Sequence, residues 1–318
     1  MASGPAGGVR LSWAQVPAAL RRAAERQLGG TVVEAVTQLG GFSPGAAARL
    51  RLDTGRRAFA KAVGPELNPD SPGMYRAEAR IAAALPAQVP APRLLGSVEA
   101  DGWVLLLFED IDGAMPAQPW RPPELARVLA AVSDLATALT PSPLAAPALA
   151  DTHARAFAGW RGLISDAVSG TDDLTGLDRW ARDHLADLAE LEAGWAAAAE
   201  GTALIHGDLR ADNILLAADR VVFVDWPWAC IAAAWIDPLF MAPSIAMQGG
   251  PTPEEVFTGH PVARGADPAA VTAVLAALAG YFVRQSRQPD PPGIPTLRAF
   301  QAAQGGVALD WLRQRTGW

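Results

Sequence analysis

The sequence predicts an α+β protein in two lobes: a small N-terminal lobe of antiparallel strands with one main helix, and a larger, mostly helical C-terminal lobe. Three observations predict it. Strand-length apolar runs punctuated by Gly- and Asp-containing turns occupy residues 49–108. From about Ala114 onward the apolar spacing becomes helical. The interruption is residues 204–226, where two short apolar runs border polar, oxygen-bearing residues. Polarity returns at Glu109-Asp110-Ile111-Asp112-Gly113, which marks a hinge and divides the chain into lobes of residues 1–113 and 114–318.

Taken in order, Ser12 is placed to cap a leading helix over 12–28, closed by Gly29-Gly30. A Gly-rich loop at residues 39–45 precedes two strands, 49–52 and 58–63, joined by the tight turn Asp53-Thr54-Gly55. Strand periodicity puts Phe59 and Lys61 on one face. A helix over 74–85 stops at Pro86, and strands follow at 93–98 and 103–108 around Asp101-Gly102. Helical stretches are then expected at 122–139, 150–166, 176–199, 267–285 and 295–315, with loops at 141–147 and 288–295.

Composition narrows the class. Half of the 318 residues are hydrophobic (50%), ample for a buried core. A net charge of −7 argues against nucleic acid as partner; it suits a cationic ligand, or solubility alone. Cys230 is the single cysteine, which excludes an internal disulfide framework and a multi-thiolate metal site, and its apolar surroundings mark a buried structural thiol. His153, His184 and His260 are isolated, so no His/Cys metal cluster is expected. The N-terminus lacks the charged region and apolar core of a signal peptide, and Asp237, Pro238 and Pro243 break the apolar stretch 231–247. A soluble cytoplasmic protein, monomer or homodimer, with no membrane partner is the expectation.

Among 26 lysines and arginines, Lys61 alone is lysine. A codon bias against lysine explains the scarcity but not the position, whereas a need for a compact ammonium that no planar guanidinium can replace explains why lysine persists at 61. Downstream, His206-Gly-Asp208 is followed by Asn213 five residues after the Asp, and by Asp225 twelve residues further on, at the end of the run Val-Val-Phe-Val. Three oxygen-bearing side chains thus come to the ends of neighbouring strands, where they can hold Mg²⁺ and orient a hydroxyl. The order and spacing are those of a kinase catalytic loop and metal-binding loop.

With these motifs the chain resembles the aminoglycoside phosphotransferase and choline kinase-like family, small-molecule kinases on a protein kinase-like fold, over residues 39 to 240. The resemblance implies a Mg²⁺-dependent O-phosphotransferase moving the γ-phosphate of ATP (or GTP) to a hydroxyl of a small molecule. It implies Asp208 as the catalytic carboxylate, Asn213 and Asp225 as metal ligands, and Lys61, paired with Glu78, as the phosphate contact. Nucleotide contacts fall on Gly41, Ser43, Phe59, Glu109 and Ile111, with Phe59 either covering the purine or packing in the core. His206 is a scaffold of the loop and Asp237 its brace or a helix cap. The loop 40–45 departs from GxGxxG, Trp226 replaces the Phe of DFG, and no Ala-Pro-Glu follows, which disfavours a protein substrate. The acceptor stays open between an aminoglycoside-type antibiotic and a housekeeping metabolite such as choline, homoserine or an amino sugar. A silent nucleotide-binding module on the same fold is the remaining alternative. Residues 141–200 carry ten acids against four arginines, read either as a solvated surface or as a cleft for a polycation.

Overall fold

The structure, a computed structural model, describes residues 8–318. The N-terminal residues 1–7, on which the reading of a missing signal peptide rests, lie outside the described residues. The chain forms two compact units that are not contiguous in sequence. Unit 1 runs to Pro116 and adds Asp212–Trp228 and Asp290–Leu297; unit 2 comprises Ala117–Ala211, Ala229–Pro289 and Arg298–Trp318. The expected division at residue 113 therefore misses two returns of the chain, each with a physical cause. Strand Ile214–Ala217 pairs with a strand at Gly113–Ala114, and the Gly293 carbonyl accepts from Val9 N (2.8 Å).

Unit 1 is built on a six-stranded sheet. In chain order its elements are β1 (Arg10–Leu11), α1 (Ala18–Leu28), β2 (Val32–Thr37), β3 (Gly45–Leu52), β4 (Arg57–Val63), α2 (Ser71–Ala84), β5 (Leu94–Ala100), β6 (Trp103–Phe108) and β7 (Gly113–Ala114). The sheet order is β1-β3-β4-β6-β5, with β2 also on β3, and β7 lies outside it. Every residue of β6 is buried, so this strand is covered on both faces. Alternation divides its side chains: Leu105 and Leu107 pack with Leu20, Leu50 and Leu52, while Val104, Leu106 and Phe108 pack with Val63 and Tyr75.

Several boundaries differ from the sequence reading. Ser12 caps only a short 3-10 turn, Trp13–Gln15, through a capping box, and α1 starts after Pro17. Helix α2 begins at Ser71 because Asn68 Oδ1 accepts from Asp70 N, Ser71 N and Ser71 Oγ, satisfying donors of its first turn. The sequence reading omitted β2, although Val32, Val33, Val36 and Thr37 favour a strand; it lies beside β3 with both middle valines exposed.

Unit 2 contains α3 (Pro122–Ala138), α4 (Leu149–His153), α5 (Gly159–Ser169), α6 (Arg179–Asp183), α7 (Leu185–Ala193), α8 (Trp195–Ala198), α9 (Ile236–Met247), α10 (Pro253–Gly259), α11 (Pro268–Ser286) and α12 (Leu297–Thr316). The helix expected over 150–166 is broken between α4 and α5, where buried Phe157 turns in to meet Trp195 (5.0 Å) and Phe240 (5.6 Å) edge-on. The one expected over 176–199 is three pieces, interrupted at His184 and Gly194. Helix α9 was hidden by its prolines; Pro238 sits in the first turn, where no amide partner is lost, and Pro243 is accommodated inside a fully buried segment. Among the described residues α11 is the one helix long and apolar enough to cross a membrane, and 56% of its apolar window is buried. Cys230 is buried, and burial pushes its thiol up to about 12, which suits the structural role and not a nucleophile.

Helices α5 and α11 approach closely enough that a Cβ on Gly159 would stand 2.1 Å from the Gly280 carbonyl carbon. Gly159→Ala must push the helices apart, and it is expected to destabilise the protein by about 2–3 kcal/mol in denaturant unfolding. An unchanged midpoint would show that this crossing does not constrain the unit.

Candidate active site

In unit 2 the loop containing Asp208 is shaped before its carboxylate is placed. Strand Ala203–Ile205 pairs antiparallel with Cys230–Ala232, which brings Asp237 of α9 under the turn. Asp237 Oδ2 accepts from His206 N (2.8 Å) and Oδ1 from Gly207 N (2.9 Å). Gly207 has φ +80°, a conformation that favours glycine. His206 is fully buried, and its Nδ1 accepts from Asp208 N at 3.3 Å. It therefore bonds the backbone of the loop. Arg210 Nη1 contacts Asp208 Oδ1 at 2.6 Å, and the Arg210 guanidinium lies 5.4 Å from the Phe300 ring centre.

In unit 1 the second motif closes on the sheet. Strands Ile214–Ala217 and Val221–Phe223 form a hairpin, and Val224 N donates to Asn213 O (2.9 Å), tying its two ends together. Asp225 follows at φ +69°, an uncommon backbone state for a non-glycine residue and one found at functional sites. Its Oδ1 lies 2.5 Å from Lys61 Nζ, and Glu78 Oε2 lies 2.7 Å from the same nitrogen. The Lys61 ammonium also stands 5.0 Å from the Tyr75 ring centre.

These groups line a cavity of about 730 Å³ that also takes in Gly41, Ser43, Phe59, Glu109, Ile111 and Asn213. Within unit 1 the structure thus brings together all the residues expected at the nucleotide and metal, and Phe59 lines the cavity while its ring also packs beside Phe108. Asp208, His206 and Asp237 belong to unit 2.

The electrostatics follow from burial and pairing. Burial disfavours the Lys61 ammonium, but Asp225 and Glu78 outweigh it and hold the amine protonated well above its ordinary range. Burial raises the Glu78 carboxyl against the pull of Lys61. The two carboxylates exceed the one ammonium by a single charge, and the Arg10 guanidinium in the same cavity offsets it. Among the described residues no three of His, Cys, Asp and Glu gather as a metal cage. The oxygen donors of Asn213 and Asp225 are instead the sparse, hard set that suits Mg²⁺ shared with phosphate oxygens.

Sequence reasoning missed Arg10 and Tyr75, which line the same cavity. Tyr75 precedes Glu78 by three residues, so helical spacing could have found it; Arg10 belongs to no recognisable pattern. It also missed Arg49, whose guanidinium donates to the Ile111 carbonyl (2.6 Å) and lies 3.2 Å from Asp110, fixing the segment after β6.

Burial pushes the Asp237 carboxyl up to about 6, against the lowering effect of the two amides that it accepts. A folded pKa above the unfolded one means that stability is present at low pH and lost as pH rises from about 4 through 6, by on the order of 3 kcal/mol. Asp237→Asn should therefore flatten the fall in thermal midpoint between pH 4 and 7 relative to the parent. It should also lower activity, since the amide presents a donor to one of the two N–H groups. Parallel midpoint curves would remove Asp237 as the source.

The profile of the phosphotransferase enzyme family matches residues 39–274. No curated protein sequence matches the chain. Among solved structures, a thermostable variant of aminoglycoside phosphotransferase APH(4)-Ia, in a ternary complex with AMP-PNP and hygromycin B, is 15% identical with a TM-score of 0.60, covering 93% of this chain and 98% of that one. A choline/ethanolamine kinase family protein from Mesorhizobium loti is 18% identical with a TM-score of 0.60, covering 92% and 94%. An aminoglycoside-3'-phosphotransferase of type VIII is 22% identical with a TM-score of 0.53, covering 82% and 98%. The shared fold and the match over most of its length agree with the site: the chain belongs to the phosphotransferase enzyme family, the small-molecule kinases of this fold.

Proposed function

We propose that the protein is a Mg²⁺-dependent O-phosphotransferase that moves the γ-phosphate of ATP, or GTP, to a hydroxyl of a small molecule in the cytoplasm. The observation that carries this reading is the buried contact of Lys61 with both Glu78 and Asp225 in a cavity shared with Asn213. Such an arrangement has no use in a packing role, because it concentrates charge where hydrophobic side chains would be cheaper.

In this reading Lys61 holds the phosphates of the nucleotide, and Glu78 keeps the lysine aimed. Asn213 and Asp225 would hold Mg²⁺, which would supply positive charge against the phosphate oxygens. Asp208 orients the acceptor hydroxyl and takes its proton as the oxygen attacks the γ-phosphorus, whose bond to the bridging oxygen breaks to release the nucleoside diphosphate. Arg210, on Asp208 Oδ1, holds that carboxylate in one orientation. Two related structures support one reading of the acceptor, since one is bound to hygromycin B and another is named for choline and ethanolamine. An aminoglycoside and an amino alcohol share hydroxyls beside amines, which is the acceptor chemistry that we infer.

A panel of aminoglycosides, amino alcohols and amino sugars, assayed for ADP release and for the phosphorylated product, tests the reading. Asp208→Asn should reduce turnover by about 10²–10⁴-fold while ATP binding in the presence of Mg²⁺ is retained. Turnover above a few per cent would remove Asp208 from this role. Lys61→Arg should also be severely impaired, because a planar fork replaces a compact ammonium between two carboxylates. Normal turnover in that variant would undo the argument from the lone lysine. ATP binding without product from any acceptor would favour a silent nucleotide-binding module.

A further inference from the structure

Two buried donors in the unit 1 cavity lack a hydrogen-bond partner: Nε of Arg10 and the hydroxyl of Tyr75. Buried donors are almost always paired, so two orphans in one cavity indicate an acceptor that enters it. Tyr75 is 3% exposed. Arg10 is held in place by its other nitrogens. Nη1 donates to the Ser43 carbonyl and Nη2 to those of Gly40 and Gly41, while Nε is the guanidinium nitrogen that is buried without any partner. The backbone is equally fixed, for Arg10 in β1 lies opposite Gly45 of β3, and Gly45 N donates to Val9 O (3.0 Å). Gly41 has φ +83°, and a Cβ there would stand 3.1 Å from Arg10 Nη2, so loop and guanidinium are in close contact.

An acceptor with several negatively charged oxygens suits these donors, the guanidinium above all. One donor is a guanidinium, and the other belongs to the ring over which the Lys61 ammonium stands, whose two carboxylate partners are already engaged. Burial pushes the Tyr75 phenol up to about 12, so it remains a donor at neutral pH. A phosphate chain offers several acceptor oxygens to donors arranged around one cavity.

We propose that Arg10 and Tyr75 are a further phosphate-binding pair, contacting the phosphate chain of a nucleoside di- or triphosphate alongside Lys61 and linking it to the loop 40–45. The inference rests on the nucleotide-dependent function proposed above, and it adds two positioning residues from segments that carry no motif. Arg10 then has two tasks, since it ties the carbonyls of the Gly-rich loop and meets the phosphates through Nε.

The test is calorimetric titration of ADP, GDP and adenosine into the parent, Tyr75→Phe and Arg10→Lys, with thermal unfolding of each ligand-free protein. Tyr75→Phe keeps the ring over Lys61 and removes only the unpaired hydroxyl. Its ligand-free midpoint should be unchanged or higher, while its ADP affinity falls about 10-fold. Arg10→Lys keeps the charge but loses the fork, and ADP affinity should fall about 10- to 100-fold. Adenosine affinity should stay within about twofold in both. Parent-like ADP binding in both variants, or equal losses for ADP and adenosine, would overturn the pair. A parent protein that binds neither ADP nor GDP would instead overturn the nucleotide reading itself, and the pair with it.

Discussion

Unit 1 depends on one buried cation shared by two carboxylates. Lys61 comes from the middle of β4, Glu78 from α2 and Asp225 from the end of the Val221–Phe223 strand, so the contact joins three separate stretches of chain. Taking these charges out of water is costly, and removing one partner of such a set typically costs about 3–5 kcal/mol because the others stay buried and unmatched. Hydrophobic residues of the same volume would make a more stable lobe. What the ions provide is a fixed arrangement, in which the ammonium and the two carboxylates hold one another in place at the cavity wall. The contact also explains why position 61 is lysine in a chain that otherwise uses arginine. A guanidinium is planar and forked, and would not place one nitrogen within 2.7 Å of both acids in this geometry.

The loop of unit 2 is organised by a different constraint, the satisfaction of backbone amides in a tight turn. Asp237 accepts two consecutive N–H groups, and His206 accepts a third. A single carboxylate on a buried helix thus replaces the acceptors that a strand would have offered to residues 206 and 207. Asp237 keeps this role in spite of its burial, because both oxygens are used. The two motifs therefore tolerate different changes. The lysine contact is sensitive to the shape of its cation, and the loop to the acceptor capacity beneath it.

The motif residues were legible because phosphoryl transfer restricts residue type and spacing together. Asp208, Asn213 and Asp225 are set by one short segment, and Lys61 stood out through composition. The sheet was legible for the same local reason, since β3 to β6 are alternating or continuous apolar runs between turns. What was not legible depends on partners distant in sequence. Arg10 is an ordinary arginine until β1 lies beside β3, and Arg49 gains its meaning only from the carbonyl of Ile111. Helix α9 reads as broken because its prolines act locally, whereas its burial is a property of the packed unit. The interruptions at 154–158 and His184 likewise come from packing that no helical period announces.

The acidic stretch 141–200 shows how a local count misleads. Read by itself it has a surplus of acids that would draw a polycation. In the structure Asp166 meets Arg284 (2.9 Å), Asp172 meets Arg287 and Asp178 meets Arg313 (2.9 Å), all with arginines more than a hundred residues away. Glu192 is fully buried and accepts from Trp160 N and Arg161. Four of the ten acids are thus committed to holding the C-terminal helices and the start of α5. Asp183 and Asp187 stay exposed at about 60% on short helices, where screening makes their attraction for a substrate weak. Net charge within a sequence window measures attraction only if the counter-charges lie in the same window, and here three of them come from Arg284, Arg287 and Arg313. The composition of this region therefore gives no ground for a basic acceptor.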